Sequence, residues 1–193
     1  LTPTPSSKNT PETGILILVV GPSGVGKDTL LEGAHSALAD RPGFVFVRRD
    51  ITRPAGAGGE DHNPVSEGQF TSRVVAGDYL LHWRAHGLGY GVPVVAANQL
   101  AAGQRVVVNV SRSVLDEARR RFGQLRIVSV EADARRLAQR LRARGRENEA
   151  DIARRIAQAD AFEVSGDDVV VVRNDGSPEE GVMAMISAIT RDA

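Results

Sequence analysis

The sequence predicts an α/β fold, a five-stranded parallel sheet held between two layers of helices in a three-layer α/β/α arrangement. Short runs of β-branched and aliphatic residues alternate with helix-period segments along most of the chain. A glycine-rich turn joins the first such run to the first helical segment. The length of 193 residues, 41% hydrophobic and 25% charged, suits one domain with a sizeable core. The first strand is the apolar run 15–20, and the helix that follows covers 27–39. A second strand falls at 44–48. Ser66 and Gln69 then read as a capping box opening a short helix through Val75. The third strand, 105–110, carries Val106, Val107 and Val108 and is followed by a helix at 114–122. The fourth strand lies at 125–130, and two helices at 133–143 and 150–162 flank an arginine-rich turn. The last strand, 168–173, leads to a helix at 178–190, where Ser177 is the N-cap, Pro178 the first helical residue, and Glu179 and Glu180 favour the helix dipole.

Composition narrows the function classes. Lys plus Arg equals Asp plus Glu, so the net charge is zero, and the basic excess expected of a nucleic-acid binder is missing. There are no cysteines, which excludes disulfides, thiolate metal sites and thiol nucleophiles. The longest apolar run, 15–20, is too short to span a bilayer, and the expectation is a soluble, cytoplasmic protein with no membrane partner. Residues 1–14, rich in Pro, Ser and Thr, read as a disordered tail, leaving 15–193 as the folded domain. Two stretches do not fit simple βαβ units: an insertion at about 50–100 and the turn within about 140–155. Ligands bind beyond the carboxyl ends of strands in such sheets, so both are expected to rim that edge.

The segment Gly21-Pro22-Ser23-Gly24-Val25-Gly26-Lys27-Asp28-Thr29 follows a strand and opens a helix, the context required of a phosphate-binding loop. Gly21, Gly24 and Gly26 let the backbone curl so that successive N–H groups face one anion, and the helix N-terminus adds partial positive charge. Lys27 supplies a point charge to the β- and γ-phosphates. These features identify an ATP-dependent phosphotransferase of the P-loop kinase class. One position departs from the pattern: Asp28 stands where Ser or Thr usually follows the lysine to hold Mg²⁺. The third strand ends in Asn109, where such kinases often place an Asp. Either the register shifts to Thr29, or Asp28 takes over the Mg²⁺-organising role, as a hard cation prefers charged oxygen ligands, or Asp28 is only an acid favoured by the helix dipole.

From about residue 15 to 189 the chain resembles the guanylate kinase group of nucleoside monophosphate kinases. The resemblance rests on the phosphate loop, on Thr52-Arg53-Pro54 with Gly59-Glu60, on Gly89-Tyr90-Gly91, and on the set Arg140, Arg144 and Arg155. Three motifs, G-P-S-G-V-G-K-D, T-R-P-A-G-A-G-G-E-D-H and H-W-R-A-H-G-L-G-Y-G-V-P, resemble in particular the ribose 1,5-bisphosphate phosphokinase family. That resemblance implies transfer of the ATP γ-phosphoryl group to the 1-phosphate of ribose 1,5-bisphosphate, giving 5-phosphoribosyl 1-diphosphate and ADP in phosphonate breakdown. The cofactors implied are ATP and Mg²⁺, and the partner is a small phosphosugar.

Chemistry separates this acceptor from GMP. Guanine presents donors on its pairing edge, so a site that reads it needs acceptors. Guanylate kinases place a Glu before the Trp of the middle insertion, where this chain has His82 ahead of Trp83. Asn109 and Ser111 replace their third-strand acids. His82, Arg84 and His86 share one face of an extended segment, and with Arg53, Tyr90 and Asn109 are the expected anion pocket. Glu60 and Asp61 either accept hydrogen bonds from ribose hydroxyls or hold the fork of Arg53 in position.

The nucleophile, a phosphate oxygen, is already ionised at neutral pH and needs no general base. The obstacle is repulsion, about 3 kcal/mol for two unit charges 5 Å apart at an effective dielectric of 20. By resemblance, Arg140, Arg144 and Arg155 form a lid that closes over ATP and joins Lys27 in cancelling charge. Arg135, Arg136, Arg142 and Arg146 read as solvated or paired charges. Asn174, after the last strand, is placed beside the adenine by the same resemblance, although an Asn-Asp-Gly loop before a capped helix needs no such role. Two alternatives stand beside the sugar kinase: a guanylate or other nucleoside monophosphate kinase, and a non-catalytic binding module, which would need neither phosphate loop nor lid arginines.

Overall fold

The structure, a computed structural model, describes residues 14–55, 60–145, 148–160 and 163–191, without the side chains of 144 and 158–160. The tail expected at 1–14 lies outside the described residues except for Gly14, whose N–H donates to the Leu100 carbonyl at 3.0 Å. In chain order the strands are β1 (Ile15–Val20), β2 (Phe44–Phe46), β3 (Asp50–Ile51), β4 (Asn63–Pro64), β5 (Tyr79–Ala85), β6 (Leu88–Pro93), β7 (Arg105–Asn109), β8 (Leu125–Glu131) and β9 (Val169–Arg173). The helices are α1 (Lys27–Leu38), α2 (Glu67–Ala76), α3 (Ala96–Ala101), α4 (Leu115–Arg121), α5 (Ala134–Arg144), α6 (Glu149–Asp160) and α7 (Pro178–Thr190).

The main sheet is the expected five-stranded parallel one, in the order β2-β7-β1-β8-β9. Its centre, β1, is apolar throughout because both faces are covered. Alternation sorts its residues into two cores. Leu16, Leu18 and Val20 pack with Val106 and Val108 on one side. Ile17 and Val19 pack on the other with Leu30 and Leu38 of α1 and Met185 and Ile189 of α7. The second strand stops at Phe46, two residues short of expectation. The expected capping box is present at Ser66 with Gln69, and the expected N-cap Ser177 forms a second one with Glu180.

The insertion folds into a second sheet, ordered β4-β3-β6-β5, which periodicity alone did not reveal. Two of its strands are only two residues long. Its hairpin turns at His86 and Gly87, with φ of 52° and 75°, so both central residues are left-handed, as a tight hairpin turn of matching twist requires. Asp50, 1% exposed, ties the insertion together. It accepts from the Tyr79 hydroxyl at 3.0 Å and the Asn63 amide at 3.1 Å, and pairs with Arg73 of α2. Burial, with the Asp50 hydrogen bond, pushes the Tyr79 phenol up to about 12. Across the hairpin, Phe70 and Tyr79 cover the outer faces of Gly89 and Gly91. A Cβ at Gly91 would meet the Tyr79 ring at 2.3 Å, so this position has no room for a side chain.

No helix of the described residues is long and apolar enough to cross a membrane.

Candidate active site

The carboxyl end of β1 runs into the glycine-rich loop, and a cleft of about 520 Å³ opens between that loop and the second sheet. Gly21, Pro22, Ser23, Gly24, Gly26, Lys27, Asp28 and Thr29 form one wall. Gly24 and Gly26 have φ of 89° and 99°, a conformation that other residues resist. A Cβ at Gly24 would also meet Leu141 of α5 at 2.8 Å, so the loop's apex is seated on that helix. Gly26 caps α1 without a side-chain hydrogen bond, which leaves the first helical N–H groups directed at an incoming anion. Lys27 Nζ donates to the carbonyls of Gly21 at 2.7 Å and Pro22 at 3.0 Å. Burial draws its ammonium down to about 8; nearby Arg49 adds to this, while Asp28 and Glu60 oppose it.

Val25 faces inward and is fully buried. Its carbonyl accepts from Asn174 Nδ2 at 2.8 Å and from Arg140 at 3.2 Å. Asn174 is 4% exposed and sits beneath the loop as a strut. Its neighbour Asp175 accepts from the Asp133 N–H at 2.5 Å at the start of α5, and that backbone hydrogen bond holds its carboxyl below the usual range. Arg155, from α6, donates to Ser23 Oγ at 2.6 Å and lines the cleft. The Arg144 side chain and Arg146 lie outside the described residues. Arg142 is paired with Glu149 through two bonds of 2.9 and 2.8 Å, as expected of a solvated charge.

The opposite wall holds Arg49, Glu60, Trp83, Ala85, His86 and Tyr90, with Asn109, Ser111 and Arg112 at its base. Asn109 Nδ2 donates to Asp28 Oδ1 at 3.3 Å, so the amide at the end of β7 and the carboxylate in the loop meet directly.

Among the expected anion ligands, the structure separates two groups. Tyr90 and His86 line the cleft; His82 and Arg84 do not. The chain shifts register between Tyr79 and Leu81, and beyond that bulge Trp83 faces inward while His82 and Arg84 face α2. Arg84 pairs with Glu67 at 2.9 Å and lies 5.2 Å over the Phe70 ring, and His82 is edge-on to the same ring. His82 and Arg84 do share a face, as expected, but that face meets α2 and not the cleft, while His86 lines the cleft where the hairpin turns. Arg53 is likewise absent from the cleft lining; its carbonyl lies 3.2 Å from His62 Nε2. Glu60 pairs with Arg49 and Asp61 with Arg48. Asp61, 68% exposed in its side chain, opens onto a second hollow behind the cleft.

Sequence reasoning did not single out Arg49, Arg112 or Trp83 as residues of the cleft. The family model described as an AAA domain matches residues 16–164. A guanylate kinase from Anaplasma phagocytophilum superposes with a TM-score of 0.63 at 19% identity, over 91% of this chain and 84% of that one, a likeness of fold. The ribose 1,5-bisphosphate phosphokinase PhnN of Acidiphilium cryptum is 46% identical over 181 residues, 94% of this chain and 95% of the relative. A bifunctional ribose 1,5-bisphosphokinase-thymidine phosphorylase of Azorhizobium caulinodans is 41% identical over 177 residues, 92% of this chain, which spans about 26% of that longer protein. With that identity over nearly its whole length, and with a phosphate loop and cationic cleft in place, the chain belongs to the ribose 1,5-bisphosphate phosphokinase family.

Proposed function

We propose that the protein transfers the γ-phosphoryl group of ATP to the 1-phosphate of ribose 1,5-bisphosphate, forming 5-phosphoribosyl 1-diphosphate and ADP. The observation that carries this reading is the makeup of the acceptor wall. Among the described residues its one carboxylate, Glu60, is engaged by Arg49, while Arg112, His86 and Tyr90 offer groups suited to phosphate. Stacked Trp83 and Tyr90, 5.4 Å apart and 2° from parallel, close the wall where a purine would need hydrogen-bond acceptors.

In the reaction an ionised oxygen of the 1-phosphate bonds to the γ-phosphorus as the bond to the ADP oxygen breaks, and no proton need move. The chain's part is positioning and charge cancellation. Loop N–H groups and the α1 N-terminus hold the ATP phosphates, and Lys27 exchanges its carbonyl partners for their oxygens. Arg155 and Arg140 join the lid helices to the loop, so closing the lid excludes water from the transferring group.

Mg²⁺, when bound, would supply charge that offsets the negative phosphates. Among the described residues no group of three or more His, Asp or Glu could cage a metal. That fits Mg²⁺, which keeps its waters and takes one or two carboxylates beside substrate phosphates. Asp28 would be the carboxylate that holds it, and the Asn109 amide donates to that carboxylate. Asp28→Ala is expected to lower kcat on the order of 10² and to raise the Mg²⁺ concentration giving half-maximal rate. Titrating the metal at saturating ATP measures both, and an unchanged Mg²⁺ dependence would remove Asp28 from the role.

The substrate itself is tested by a coupled ADP-release assay with the two acceptors. Ribose 1,5-bisphosphate is expected to exceed GMP in kcat/KM by about 10³ or more, since a site built for one set of polar groups rejects another strongly. Equal or better use of GMP would make the protein a nucleotide kinase.

A further inference from the structure

Arg49 lies outside every motif of the phosphate loop and lid, yet its setting is the most specialised of any cation in the cleft. It is 7% exposed, and its guanidinium carbon lies 5.4 Å from the centroid of Trp83 and 5.2 Å from that of Tyr90. Glu60 engages one of its terminal amino groups. Its buried Nε has no hydrogen-bond partner among the described residues. A guanidinium carries five N–H donors, and one removed from water keeps a strong demand for anionic partners. The planar stack holds that fork flat at the cleft wall, a geometry that a phosphate can meet with two parallel bonds.

We infer that Arg49 grips a phosphate of the acceptor, that Glu60 is a counter-ion which the arriving phosphate displaces, and that the Trp83–Tyr90 stack fixes the fork in place. The inference rests on the sugar-bisphosphate reading of the site. Before the substrate arrives, Glu60 keeps the buried cation compensated. On arrival the dianion replaces one carboxylate contact with a bidentate pair, and Glu60 turns from partner to neighbour. Arg48 and Asp61, paired at 2.7 Å on the exposed side, have no such setting and serve as the contrast.

The test separates acceptor from ATP. Arg49→Gln is expected to raise the KM for ribose 1,5-bisphosphate about 100-fold and Arg49→Lys roughly tenfold, the range of a charge-assisted bidentate contact. The KM for ATP should stay within about twofold in both, whereas a merely structural role would disturb both substrates together. Glu60→Gln removes the competing carboxylate and should lower the acceptor KM; a rise would overturn the counter-ion role. Trp83 is the only tryptophan in the chain, so its emission reports directly on Arg49. Adding ribose 1,5-bisphosphate without ATP should change that emission in the wild type and in Arg49→Lys at higher concentration, but not in a folded Arg49→Gln. A wild type that turns over ribose 1,5-bisphosphate, with the acceptor KM unmoved in both Arg49 variants, overturns this inference alone. A wild type that ignores the bisphosphate and uses GMP overturns the substrate reading and this inference with it.

Discussion

Replacing Lys27 with methionine is expected to reduce kcat by about 10³ or more while making the folded protein more stable at neutral pH. The kinetic loss follows from position. Lys27 opens α1 directly after the glycine turns, and its ammonium already lies against the loop carbonyls of Gly21 and Pro22. Among the described residues no other lysine lines the cleft. The stability gain follows from burial. The ammonium titrates at about 8 in the folded protein against 10.5 in the open chain, because burial penalises the charged form. Below pH 8 both states carry the charge and the folded state bears the whole penalty; above 10.5 neither does. The extra stability of Lys27→Met should therefore be full below pH 8 and fade as the pH rises toward 10.5, which melting curves across that range would show. A variant less stable than the wild type at pH 7 would mean that its two carbonyl bonds outweigh desolvation. Full activity would remove Lys27 from the chemistry.

The contrast between what the sequence revealed and what it hid has a physical origin. The central strands were legible because each is buried on both faces, so Ile15 to Val20 and Val106 to Val108 are apolar without interruption. The phosphate loop was legible because its geometry admits so few residues: only glycine accepts the φ values at Gly24 and Gly26 without strain. The second sheet obeys weaker rules. Strands of two residues show no period, and the irregularity between Tyr79 and Leu81 reverses the face of everything after it. That single slip carried His82 and Arg84 to the α2 side and left Trp83 facing the cleft. Arg49 was hidden for another reason. Beside Arg48 it looks like one of an exposed pair, and only the fold distinguishes the buried partner from the solvated one. The alternation Arg49-Asp50-Ile51, a charge beside a fully buried acid at the start of the insertion, was the one available signal.

Arg155→Ala is expected to lower kcat by about 10³ with a much smaller change in the KM for ATP, as for an arginine that stabilises transition-state charge. Two observations support the size of this effect. Arg155 crosses from α6 to the loop, where it reaches Ser23 Oγ at 2.6 Å and joins the cleft lining. The helix pair behind it is also not loosely tethered. Leu137, Leu141 and Ile152 form a core of their own between α5 and α6, and Leu141 abuts the loop at Gly24. A guanidinium mounted on so rigid a support delivers its charge at a fixed place, which matters most when charge is moving between two anions. Arg140, by contrast, donates to the Val25 carbonyl beside Asn174, a contact that shapes the loop. Arg140→Ala should therefore raise the KM for ATP more than Arg155→Ala does, and should lower kcat less. Arg155→Lys should recover little, since a single ammonium cannot span two phosphoryl oxygens as a planar fork can. Pre-steady-state measurement of the first turnover decides the matter. If Arg155→Ala slowed ADP release and left the transfer step untouched, the residue would govern lid opening in place of the chemical barrier.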